Sequence, residues 1–175
     1  APDAGPDNPP DPADGLRALN DVDQLAVFEH AACQTSDGIR RLLAGLRPGM
    51  TEAEAVRLLN WNGMPLSCHL MLTAGPRAAL GLLSPGDRVI AAGDPLTVAY
   101  GVWGALNCRA GFVVEDGAGL PAGIGDYVER LVAPYFEAVA EWYGALHVGQ
   151  RGGVLQEIID RRLGGAFDLG ELGGE

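Results

Sequence analysis

Few side chains here can move a proton or grip an anion, and they are widely spaced. His69 lies in LSCHLMLT (66–73), Asp94 in GDPLT (93–97), and Asn107 and Arg109 in NCRAG (107–111). Imidazole shuttles protons near neutral pH, and guanidinium grips a carboxylate through two parallel hydrogen bonds. Each candidate also has a plainer role. A histidine on a strand can be a structural hydrogen-bonding residue, and an aspartate after glycine is turn chemistry. Arg109 can pair with Glu115 or Asp116 across a hairpin. Cys33, Cys68 and Cys108 include no CxxC pair. Cys68 and Cys108 have no basic partner in the pattern, so buried, inert thiols are expected there. His30 reads as a surface or interface residue.

Composition removes several classes of function. A formal net charge of −11 over 175 residues argues against nucleic acid or an anionic membrane as partner, since both need a basic face. Hydrophobic residues make up 47% of the chain, the level of an ordinary folded protein. No apolar run approaches the roughly 18 residues of a membrane span. The N-terminal stretch shows neither the basic nor the apolar region of a signal peptide. An odd number of scattered cysteines fits a reducing compartment, so a cytoplasmic location is expected.

The elements that must position the candidates follow from spacing. Residues 1–19 are rich in Pro, Asp and Gly and are expected to form a flexible arm, with residues 20–175 as one domain. From Asn20, Leu25, Phe28, Ala32, Ile39, Leu42, Leu43 and Leu46 recur near a 3.6 period, with Asp21 or Asp23 as cap and Gly45 and Pro48-Gly49 as stop. Thr51 and Glu54 form a capping box for a second helix. Residues 66–73 alternate, which predicts a strand with Ser67 and His69 on its polar face. A short strand over 88–92 precedes a hairpin spanning 93–117. A long helix is expected over about 125–146 and a further one over about 153–163. At an offset of one hundred residues, AGLRPGMTEAEAVRLL (44–59) lies over GALHVGQRGGVLQEII (144–159), matching Leu46 with Leu146 and Gly49 with Gly149. That weak repeat suggests two related helix–turn–helix units in a pseudo-symmetric α/β architecture.

GLRPGMTEAEAV (45–56), LTAG (72–75), LSPGDR (83–88), GDPLTVAYG (93–101) and CRAGFVV (108–114) occur in that order. Followed by a second helix pair after the run from Tyr135 to Val139, they resemble the pita-bread hydrolases. That family includes methionine aminopeptidase, aminopeptidase P, prolidase and creatinase. The resemblance covers about Asp21 to Leu163. It implies an α/β (α+β) fold: helix pairs on one face of a curved, mainly antiparallel sheet, in two pseudo-two-fold halves, incomplete in this chain. A half-finished sheet would leave strand edges and apolar faces uncovered, so the chain is expected to be a fragment or to pack on another subunit.

The family's peptidases hold two metal ions with two hairpin Asp, then a His and two Glu from the following half. If the Gly93-Asp94 turn sets the register, the Asp positions fall on Ala99 and Ala110. If Arg109 is the family's hairpin basic residue, they fall on Pro95 and Leu106. Neither pair offers an anionic oxygen or an imidazole. The family's substrate-facing His would fall near Gly81 or Leu82. Neither a metal nor another cofactor is therefore expected. Creatinase implies that the fold can hydrolyse a C–N bond without metal, with His as acid and base. Carried over, this makes His69, Arg109 and Asp94 the catalytic candidates and Trp103 and Asn107 the substrate-binding ones. Three readings stay open: a metal-independent hydrolase of a small amide or C–N substrate, a non-catalytic binding or dimerisation module, and an unrelated α/β domain. Expected partners are a small-molecule or peptide-like ligand, and a second copy or another subunit over the open sheet. Trp61, Met64, Met71, Trp103 and Trp142 are large residues that suit an interface or a core.

Overall fold

The computed structural model describes residues 20–164. The expected arm at 1–19 and the tail from 165 lie outside the described residues. The chain divides into two compact units, whose described parts are residues 20–120 and 121–164.

In the first unit, helix α1 (Val22–Gly45) starts at Asp21. The Asp21 carboxylate accepts from the Gln24 N–H at 2.8 Å, and the Gln24 amide oxygen accepts from the Asp21 N–H at 2.9 Å. This reciprocal cap satisfies two backbone donors that the helix itself leaves unpaired. Ala31, Thr35, Gly38, Ile39 and Leu42 form its buried stripe, at the three- and four-residue steps that share one helix face. After a turn at Gly49 (φ +95°), Thr51 and Glu54 make a second capping box and start α2 (Glu52–Arg57).

Strands β1 (Met71–Ala74), β2 (Pro95–Val102) and β3 (Ala105–Phe112) form an antiparallel sheet in the order β1-β2-β3. Leu72, Val98, Tyr100 and Val102 meet Leu42, Ala55, Leu59 and Ile90 in a fully buried core. Both helices thus cover one face of the sheet. The β2–β3 hairpin turns at Trp103-Gly104, where φ of +105° at the second position suits glycine.

Two expected strands are shorter than their patterns suggest. Leu66 bridges Val102 and Met71 pairs with Ala99, so four residues (67–70) on one side face two (100 and 101) on the other. The two extra residues cannot join the ladder, and regular pairing begins only at Met71. His69 is therefore an exposed residue of an irregular segment and not part of a strand face. Over 88–92 a single bridge forms, Val89 to Thr51, tied by Ile90 N–H to Met50 O at 2.8 Å.

The second unit carries a π-helical turn (Val128–Val132), α3 (Ala133–Ala145) and α4 (Gly152–Leu163). A continuous α-helix over 125–146 does not form. Pro134 has no N–H to donate one turn back, and the wider turn just before it absorbs the break. Glu141 accepts from Arg161 and, at 2.7 Å, from Arg162 Nε, joining the two helices above buried Ala138 and Ile158. These hydrogen bonds, that from Arg162 first, hold the Glu141 carboxyl below its usual pKa range. The repeat is real at the level of local structure. In each unit a helix ends at residue 45 or 145 with Leu46 or Leu146 as its C-cap, Gly49 or Gly149 adopts positive φ, and a helix begins at residue 52 or 152.

Candidate functional site

The hairpin ladder sets the two candidate pairs of positions at different separations. Ala99 faces Cys108, and Thr97 faces Ala110. Residues opposite one another share a face, so Ala99 and Ala110 are diagonal neighbours, about 7–8 Å apart, on the face away from α1. Pro95 instead faces Phe112, and Leu106 faces Gly101. That pair is separated by six residues of strand, roughly 20 Å, too far to share one metal centre. The permitted pair consists of two methyl groups, one buried and one exposed. Such residues do not fit a metal pair. Among the described residues, no group of three His, Cys, Asp or Glu side chains lies close enough to hold a metal ion.

The remaining candidates are spread along the hairpin. Asp94 sits at its mouth, where both carboxylate oxygens accept from Arg88 Nη2, at 3.0 and 2.9 Å, and Oδ2 also accepts from the Ala91 N–H. Arg109 faces Val98 on the α1 side, is exposed, and donates to its own neighbour's carbonyl, Cys108 O, at 2.6 Å. No ion pair between Arg109 and Glu115 or Asp116 forms among the described residues; Asp116 instead accepts from the Ala118 N–H. Asn107 donates from Nδ2 to Ser36 Oγ at 3.2 Å, while its Oδ1 is buried without a partner. Trp103 projects from the turn, 71% exposed. His69 lies level with Gly101, because Ser67 N–H donates to Gly101 O. Seven residues of extended chain, about 23 Å, separate that level from Asp94. The structure does not bring His69, Asp94 and Arg109 together.

Two residues absent from the sequence-derived set organise the other end of the sheet. Glu52 is fully buried and accepts from Thr73 Oγ1 at 3.2 Å, Ala74 N at 2.8 Å, Gly86 N at 2.8 Å and Arg77 Nη1 at 3.4 Å. It ties the start of α2 to the end of β1 and to the 84–87 turn. Arg88 lies over Gly75, where an added Cβ would stand 2.1 Å from its Nη2. The only sequence signal for either is a charged residue beside a helix start or a turn, the usual place of a solvated one. A groove of about 500 Å³ opens at the base of the hairpin, lined by Leu43, Leu46, Arg47, Phe112, Val114 and Glu115 among others.

No protein-family model and no curated protein matches the sequence. Solved structures do match the fold. A Bacillus anthracis Xaa-Pro dipeptidase superposes with a TM-score of 0.68 at 19% identity, covering 87% of this chain and 43% of its own. For the Pseudomonas aeruginosa aminopeptidase PepP the TM-score is 0.71 at 17% identity, over 91% of this chain and 37% of that one. For the prolidase of Pyrococcus horikoshii it is 0.65 at 16% identity, over 86% and 44%. The chain therefore has the fold seen in Xaa-Pro dipeptidases and aminopeptidases P, and spans about two fifths of their length. No helix among the described residues is long and apolar enough to cross a membrane.

Proposed function

We propose that this chain is a non-catalytic relative of the Xaa-Pro peptidase fold, a binding and assembly module that performs no metal-dependent hydrolysis at its hairpin. The observation that carries this reading is the methyl pair at Ala99 and Ala110, at the one register that sets two hairpin positions side by side. Divalent metals of this class need carboxylate or imidazole donors, and a methyl group supplies none. The metal-free hydrolase reading is less well supported, because Asp94 is committed to Arg88 and lies far from His69. Neighbours named as acting on Xaa-Pro bonds make a peptide-like ligand the class to try first.

The test is metal titration of the full chain by calorimetry with Zn²⁺, Mn²⁺ and Co²⁺, alongside a panel of Xaa-Pro and guanidino-type amide substrates. The expected result is no stoichiometric metal and no turnover above buffer. Stoichiometric metal, or metal-dependent Xaa-Pro cleavage, would overturn the reading. Metal-free turnover abolished by His69→Ala would replace it with the hydrolase.

A further inference from the structure

Helix α1 and strand β3 run side by side in the same direction, and three contacts fix their alignment. At the hairpin turn, a Cβ added to Gly104 would stand 3.2 Å from both Ala31 Cβ and Phe28 Cδ1. Further along, Asn107 donates to Ser36 Oγ. Leu43 and Phe112 then line the groove at the base of the hairpin. Arg40 falls between the last two contacts on α1, and Arg109 falls between the same two on β3. Ser36, Arg40, Leu43 and Arg47 follow at steps of four, three and four residues, so they share the flank of α1 that borders β3. Arg109 lies on the α1 side of the hairpin, opposite buried Val98.

Two guanidinium groups thus flank one seam with little acid to offset them. Arg109 donates to Cys108 O, and no carboxylate pairs with it among the described residues. Arg40 is 81% exposed and touches only Asp37, at 3.3 Å, a carboxylate it shares with Arg41 at 4.0 Å. Beside this pair the surface turns apolar, with Leu43 half exposed and Leu46, Phe112 and Val114 around the groove. Arg47 donates to Ala44 O and Leu46 O, at 2.9 and 2.6 Å, so its charge already offsets the carbonyl end of α1. An anion is therefore favoured between Arg40 and Arg109 rather than at the helix end. Glu115, at the groove six residues beyond Arg109, repels a second anionic group there.

We infer that this seam binds a small monocarboxylate with an apolar tail, such as an arylalkanoic acid. The carboxylate sits between Arg40 and Arg109, where each guanidinium can donate a charge-assisted hydrogen bond. The tail lies over Leu43 and Phe112. Leu43 is about 5 Å along the helix from Arg40, and Phe112 about 10 Å along the strand from Arg109, so a tail of that reach joins the two parts. A groove of about 500 Å³ is in the range of small-ligand sites. The seam is on the opposite face of the sheet from Ala99 and Ala110, which belong to the face away from α1. The inference therefore goes beyond the reading of the hairpin, and either can fail without the other.

The experiment is an amide-resolved NMR titration of the full chain with phenylbutyrate. Phenylbutanol, which lacks the charge, and acetate, which lacks the tail, are titrated alongside. Phenylbutyrate is expected to give saturable shifts centred on Leu43, Arg109 and Phe112, with a Kd of about 1 mM for a ligand of its size. Each control is expected to bind about tenfold more weakly or worse. Arg40→Ala and Arg109→Ala change exposed positions, and circular dichroism checks that both fold. Each is expected to weaken phenylbutyrate by about three- to tenfold and to leave phenylbutanol unchanged. Leu43→Asp, at a further exposed position, is expected to abolish saturable binding. The proposal is overturned by shifts centred elsewhere, or by no saturation up to about 10 mM. It is equally overturned if phenylbutanol binds as tightly as phenylbutyrate, or if both arginine variants bind like the wild type.

Discussion

Glu52→Ala is expected to be among the most damaging single substitutions in the first unit. The Glu52 carboxylate is fully buried and receives two short backbone N–H bonds, from Ala74 and Gly86, together with the Thr73 hydroxyl and one guanidinium N–H. Removing it strands two buried backbone donors, at about 1–3 kcal/mol each, and leaves a cavity where the side chain was. The combined loss is about 3–5 kcal/mol, a large part of the 5–15 kcal/mol that stabilises an ordinary domain. Glu52→Gln keeps the volume but turns an NH₂ group toward one of those donors, so about 2–3 kcal/mol is expected. Arg77→Ala should cost under about 1 kcal/mol, because the Arg77 side chain is 46% exposed and its contact is long. Urea denaturation followed by far-ultraviolet circular dichroism reads the series. At a slope of about 1–3 kcal/mol per molar, the Glu52→Ala midpoint should fall by roughly 2 M. A loss under about 1 kcal/mol for Glu52→Ala, or an Arg77→Ala loss equal to it, would refute the hub.

Further perturbations probe the helix starts and the helix–sheet contact. Hydrogen bonds from the Thr51 backbone N–H and then its hydroxyl hold the Glu54 carboxyl below its ordinary 4.5. A depressed carboxyl pKa contributes stability above the ordinary value and loses it as pH falls through the folded one. Stability carried by Glu54, and by Glu141 in the second unit, should therefore decline on acidification below about pH 4.5, and NMR titration should place both carboxyls below that value. Thr51→Ala should return Glu54 toward 4.5 and cost about 1 kcal/mol as a lost cap; an unmoved Glu54 titration would contradict the capping box. Gly38→Ala places a Cβ 2.5 Å from the buried Tyr100 ring and 3.0 Å from Leu59 O. The expected loss is about 1–3 kcal/mol of overpacking, partly relieved in a double-mutant cycle with Tyr100→Leu. Additive losses in that cycle would show that the ring is not the obstacle.

What the sequence discloses depends on how far apart the interacting residues lie. Both helix starts are legible because a cap and its partner sit within four residues, as Thr51 and Glu54 do. The hairpin is legible because Thr97, Val98, Tyr100, Val102 and Trp103 lead into the glycine turn and Phe112, Val113 and Val114 lead out of the stretch. The strand over 66–73 is only half legible. LSCHLMLT alternates throughout, but alternation cannot count the residues available on the partner, and β2 offers two fewer than the ladder would need. His69 leaves the strand for that reason alone. Glu52 is hidden by the same limit, since Thr73, Ala74 and Gly86, more than twenty residues away, are what bury it.

Two registers of the hairpin are equal in the sequence because a turn residue and a basic residue each mark one of them. Pairing separates them, setting Ala99 and Ala110 as neighbours and Pro95 and Leu106 far apart. Burial adds a physical reason for alanine at the first of these positions. Ala99 is 1% exposed, between β1 and β3 in the middle of the sheet. A carboxylate there without a cation beside it would be a buried, unpaired charge, costing several kcal/mol or forcing the group to take up a proton. A methyl at position 99 avoids that cost and is the stabilising choice for the hairpin. Packing in the middle of the sheet is thus by itself sufficient reason for alanine at position 99.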